Sequence, residues 1–142
     1  MNEELATANV DRSYSLAATS IAIFTFVLFF LHPQFKTGEI NAFLFQAMLV
    51  VMGLATFSFA FASFCYYGAS LGDRTDDAER VRRSRRGDRC WLLGCVLLFL
   101  APGLVVFSIG LHAVAFAWFA LWIAYVLLVV RRFPRVQTAR NG

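Results

Sequence analysis

Few residues in this 142-residue chain have the types and spacing that chemistry requires. His32 and His112, with Glu39, are the set that could hold a metal ion or sense a proton. Nothing in their spacing brings them together, so they read as surface side chains, and no metal site is expected. Cys65, Cys90 and Cys95 contain no CxxC pair. A thiol nucleophile needs a base beside it, and no histidine falls near them, so they read as small packing residues. Gln46 is a lone amide in an apolar stretch, suited to one hydrogen bond between helices. The arginines are the strongest signal. Seven lie between Arg74 and Arg89, and four more lie between Arg131 and Arg140. Arg82, Arg83, Arg85, Arg86 and Arg89 form a cationic cluster suited to anionic headgroups or an acidic partner. Nucleic acid is not expected as a partner, since no recognition fold or aromatic-basic platform accompanies the charge. No catalytic residue and no cofactor is expected.

The elements that carry these residues follow from composition. Hydrophobic residues make up 59% of the chain and charged residues 15%, against roughly 45–50% and 25% in ordinary soluble domains. Three stretches are free of charge: Ser13–Phe35, Ile40–Gly72 and Cys90–Val130. The last would measure about 61 Å as one helix, about twice the hydrocarbon thickness of a bilayer. It therefore reads as two spans joined by a turn at Gly110-Leu111-His112, with Pro102-Gly103 as the competing break point. Four spans are expected, at approximately 13–32, 41–67, 91–109 and 113–130, in a single membrane domain. The charged loop is 71–89 and the tail is 131–142.

Charge supplies the orientation. With four spans, twelve of the thirteen basic residues fall on one side and only Lys36 on the other. The positive-inside rule then places both termini in the cytoplasm, with the plasma (inner) membrane as the default location. Glu3 and Glu4 stand where a cleavable signal would carry basic residues. No ionisable Asp, Glu, Lys or Arg lies within a span, and proton-coupled transporters and voltage sensors usually need one there.

The expected fold is an all-α membrane protein: an antiparallel four-transmembrane-helix bundle with short outer turns and a charged cytoplasmic loop. Small residues let helices approach closely inside lipid. The first span offers Ser15, Thr19 and Ala22, with Thr25 nearby. The second offers Gln46, Gly53, Thr56, Ala60 and Ser63, and the third Gly94, Ala101 and Ser108. The fourth offers Ala113, Ala117, Ala120 and Ala124, the sharpest stripe of all. Trp118, Trp122 and Tyr125 share another face of that span, which could meet lipid or a second copy; the depth of Trp118 favours a protein contact for it. In the loop, Thr75 or Asp76 could cap a short helix, with Asp76–Arg80 and Glu79–Arg83 spaced as i,i+4 ion pairs.

The layout resembles the Orai calcium channel family in outline, with four spans, both termini inside and a charged loop between the second and third. Arg12-Ser13 at the inner end of the first span and Leu97-Leu98-Phe99-Leu100-Ala101 in the third carry the resemblance. That family's acidic selectivity residue, at the outer end of the first span, has no counterpart among Val27, Leu28, Phe29 and Phe30, so no site residue is carried over. The leading functional expectation is a non-enzymatic homo-oligomer that forms a channel or pore. Ser15, Thr19, Ala22 and Thr25 would line the path and Arg12 would ring its cytoplasmic mouth. A second is an accessory subunit of a larger membrane complex, docking a partner through the arginine-rich loop. A third is a membrane enzyme resembling the small four-span glutathione-transferring enzymes, but the asparagine and the acid that those carry in their spans are not evident.

Overall fold

The computed structural model describes residues 3–38, 40–70 and 77–139, and all of its regular structure is helical. The helices are α1 (Glu3–Lys36), α2 (Ala42–Ser70), α3 (Asp77–Ser108) and α4 (His112–Ala139). Each contains a segment long and apolar enough to cross a membrane. A helix is the natural state of such segments because it satisfies every backbone polar group internally.

The ends are cut by local chemistry. Gly38 closes α1 with a left-handed φ of 79°, and its N–H bonds the Phe35 carbonyl. Asn41 then caps α2, its side-chain oxygen accepting from the Leu44 N–H at 3.1 Å, as the side chain at an N-cap does. At the end of α3, Gly110 takes φ 84°. The Gly110 N–H reaches Phe107 O and the Leu111 N–H reaches Val106 O, a Schellman-type stop. The turn therefore falls at Gly110, as the sequence predicts, and Pro102 lies inside α3. The charged segment from Asp77 to Arg89 is not a loop: it is the first part of α3, continuous with the apolar part. The cap expected at Thr75 or Asp76 lies outside the described residues.

α2 is the central helix, packed against both α1 and α3. Its residues Phe45, Met48, Met52, Ala55, Phe59, Ala62, Tyr66 and Ala69 are all buried. Their alternating steps of three and four make a heptad seam. α3 answers with small residues in the same period: Gly87, Gly94, Ala101 and Ser108 are buried one heptad apart. The rings of Tyr66 and Phe59 lie over Gly87 and Gly94, where a Cβ would come within 2.9 and 2.8 Å of them. Met52 shares a cluster with Ala101.

α1 completes two apolar clusters. One gathers Phe45, Met48, Met52 and Ala101 with Phe24, Val27, Leu28, Leu31 and Phe35 of α1. The other gathers Ala55, Phe59 and Cys95 with Ala17, Leu16 and Trp91. Neither includes a residue of α4. That helix packs mainly on α3, and among its described residues only Ala115 is buried. The core is thus formed by α1, α2 and α3, with α4 laid against the outer side of α3.

The α2–α3 junction and the open helix faces

Three places on this framework gather the polar residues. The first is the end of the molecule where α2 leaves its apolar run and α3 carries its arginines. The last carbonyls of a helix have no partner within it. Here α3 supplies them: Arg80 Nε donates to Ala69 O at 2.9 Å and Arg83 Nη1 to Gly68 O at 3.4 Å. A cation at a helix C-terminus also suits the macrodipole. Arg83 is held by Glu79, with Nη2 2.6 Å from Oε1, the expected i,i+4 pair. Arg80 turns to the α2 carbonyl, and its expected partner Asp76 is outside the described residues. One turn further along, Tyr66 Oη donates to Asp88 at 2.7 Å. The buried glycine Gly87 lets that ring lie flat on α3.

Beside this junction a cleft of about 600 Å³ opens between α2 and α3. Phe61, Phe64 and Cys65 form its apolar side, and Ala78, Glu79, Arg82, Arg83 and Arg86 its polar side. Arg82 and Arg86 are exposed. Arg85 and Arg89 are exposed as well but do not line the cleft. Arg12 sits at the same end, its guanidinium 4.6 Å above the ring of Trp91. That cation–π contact ties α1 to α3 and adds roughly 0.5–1 kcal/mol at an exposed site.

The second place is the contact between α3 and α4. Gly103 lets α4 approach, since a Cβ there would meet Phe119 at 2.8 Å and Trp118 at 2.9 Å. Trp118 Nε1 donates to Phe99 O at 2.8 Å and Trp122 Nε1 to Val96 O at 2.9 Å. The Tyr125 ring lies 5.1 Å from that of Phe99. The aromatic face of α4 is therefore turned to α3 of the same chain rather than to lipid or a second copy, and Trp118 makes a protein contact as its depth in the span favours. Both indoles bond backbone carbonyls within two turns of Pro102, where the α3 ladder already lacks a donor.

The third is what the chain leaves open. Ala113, Ala117, Ala120 and Ala124 are all exposed, so the sharpest small-residue stripe is not covered by the described residues. Ser15, Thr19, Ala22 and Thr25 are exposed too. α1 uses the neighbouring stripe Ser13, Ala17 and Ser20, all buried, to meet the core. Gly53 and Ala60 are half-buried, and the Cβ position of Gly53 is empty for 4 Å around. Gln46 is exposed, without the interhelical partner expected for it among the described residues. Phe57, Phe61 and Phe64 are also exposed.

His32 stacks on Phe35 and His112 tilts against Phe107, both at the end opposite the arginines. No three His, Cys, Asp or Glu side chains converge as metal ligands among the described residues. Cys95 is buried, and Cys65 and Cys90 are half-buried and unpaired. Sequence reasoning named Gly94 as a packing residue and missed Gly87 and Gly103. The signal was present as Phe45, Met52, Phe59 and Tyr66 on one helix repeating in step with Gly87, Gly94, Ala101 and Ser108 on another.

The architecture is that of a multi-pass helical membrane protein. No protein-family model, curated protein or solved structure matches the chain.

Proposed function

We propose that this chain is a non-enzymatic membrane protein that assembles with copies of itself in the bilayer, through the faces of α1 and α4 that the single chain leaves open. The observation that carries the reading is the exposure of Ala113, Ala117, Ala120 and Ala124 together with Ser15, Thr19, Ala22 and Thr25. Lipid gains little from small side chains, whereas a second helix gains close backbone approach. The four helices cross the membrane antiparallel, with the arginine-bearing end and both termini in the cytoplasm of a plasma (inner) membrane. The positive-inside rule supports that orientation, with Arg12, Arg89 and Arg131 at one end and Lys36 at the other.

In a ring of copies the hydroxyls of Ser15, Thr19 and Thr25 line a narrow path. Thr19 Oγ1 donates back to Ser15 O at 2.8 Å, so its hydroxyl proton is satisfied and the oxygen can still accept. Arg12, one turn away, sets the electrostatic preference at the mouth towards anions.

The test is the mass of the full chain in lipid nanodiscs, joined to cross-linking of Ala117→Cys and Thr19→Cys in a background lacking Cys65, Cys90 and Cys95. Self-assembly yields a closed set of identical chains and cross-links at both positions. Arg12→Glu then reverses the charge preference of any flux. A single copy bound to a larger protein removes the pore reading and makes the chain an accessory subunit.

A further inference from the structure

We infer that the cleft between α2 and α3 binds an anionic phospholipid, its phosphate held by Arg82 and Arg86 and its acyl chain lying along Phe61 and Phe64. Three observations carry this assignment, independent of self-assembly.

The first is level. Contacts between the helices bring Arg12 beside Trp91 and Tyr66 beside Asp88. From there to the opposite turns, each helix runs roughly 30–36 Å at 1.5 Å per residue, close to the thickness of a hydrocarbon core. Phe61 and Phe64 thus lie just on the acyl side of the boundary, and the arginines of α3 lie at the headgroups.

The second is chemical asymmetry. One wall is aromatic and exposed, with Phe61 at 58% and Phe64 at 65%. The other carries three arginines against one carboxylate. That carboxylate, Glu79, is bound to Arg83, which also bonds Gly68 O. Arg83 is therefore committed to the fold, while Arg82 and Arg86 have no hydrogen bond or ion pair among the described residues. An anion entering here meets a net positive lining.

The third is reach. Arg82 and Arg86 stand one turn apart on the same face of α3, and their long stems let the guanidinium heads settle at the headgroup level. Two guanidinium forks on one phosphate give the paired, charge-assisted geometry in which arginine excels. The cleft of about 600 Å³ is within the usual size of a built small-molecule site.

The experiment uses the full chain in neutral detergent. Native mass spectrometry titrates phosphatidylglycerol against phosphatidylcholine of matched chains. The double variant Arg82→Gln/Arg86→Gln is compared with Arg89→Gln/Arg131→Gln, which removes equal charge from the same end outside the cleft. With each guanidinium at the phosphate contributing about fivefold, the cleft variant should lose about 25-fold of the preference for phosphatidylglycerol. The control pair should lose less than threefold. Phosphatidylglycerol should also slow maleimide labelling of Cys65 in the cleft and leave Cys90 unchanged. Equal losses in the two pairs would mean diffuse surface charge and overturn the proposal. Displacement of the lipid by millimolar inorganic phosphate, or lipid binding unaffected by Phe64→Ser, would overturn the acyl contact and make the site one for free anions.

Discussion

Replacing glycine by alanine inside a helix normally stabilises it by about 1 kcal/mol, because the unfolded glycine has more freedom to lose. In this chain the sign should depend on which helix is changed. At Gly94 an added Cβ lies 2.8 Å from the ring of Phe59, itself fully buried between Ala17, Ala55 and Cys95. The ring cannot swing out, so α2 and α3 must separate. Overpacking of this kind costs about 1–3 kcal/mol. At Gly53 the same methyl meets nothing within 4 Å. The propensity gain is common to both substitutions and cancels in their difference. Gly53→Ala should therefore exceed Gly94→Ala in stability by about 1–3 kcal/mol, which is the overpacking cost alone. The assay is reversible unfolding in mixed micelles titrated with dodecyl sulfate, followed by far-UV circular dichroism and by tryptophan fluorescence. Equal midpoints for the two variants, or a lower one for Gly53→Ala, would refute the register in which Phe59 lies on Gly94.

Other outcomes follow from single contacts. Trp122→Phe removes the indole bond to Val96 O and should cost about 0.6–1.7 kcal/mol, the range for interhelical bonds in membranes; the loss should appear as faster exchange of the α4 amides, with α1 and α2 unchanged. Tyr66→Phe removes the bond to Asp88 and should cost about 1 kcal/mol, read as a lowered unfolding midpoint, while Tyr14→Phe on α1 serves as the exposed comparison. Gly110→Ala places a Cβ in a left-handed backbone of φ 84° and should cost about 1–2 kcal/mol, although no neighbouring atom opposes the methyl.

The number of helices and the turn at Gly110 were legible because both rest on one-dimensional signals. Charge-free length sets the count, and glycine between two apolar runs marks the reversal. The packing faces were less so. On α1 the stripe Ser15–Thr19–Ala22 and the buried stripe Ser13–Ala17–Ser20 are both made of small residues and differ by a rotation. Composition cannot choose between them; only a partner can. On α4, close approach does occur, but the small residue is Gly103 on α3, and α4 supplies Trp118 and Phe119. A stripe of alanine identifies a face able to approach a helix without saying whether that helix belongs to the same chain.

The α2–α3 seam shows what would have resolved the ambiguity. Complementarity is a property of two stripes, large against small in the same period and opposite direction, and it is far less probable by chance than either stripe alone. By that standard the pairing of Tyr66 with Gly87 and Phe59 with Gly94 is specified. The same pairing continues past the apolar boundary, where Arg80 and Arg83 close the carbonyl end of α2. The arginine segment is consequently divided: Arg80 and Arg83 bond the end of α2, while Arg82 and Arg86 are exposed in the cleft. An unstructured loop would offer all its arginines to the membrane alike. A docked helix presents a chosen pair above an aromatic wall, and the proposed lipid specificity rests on that selection.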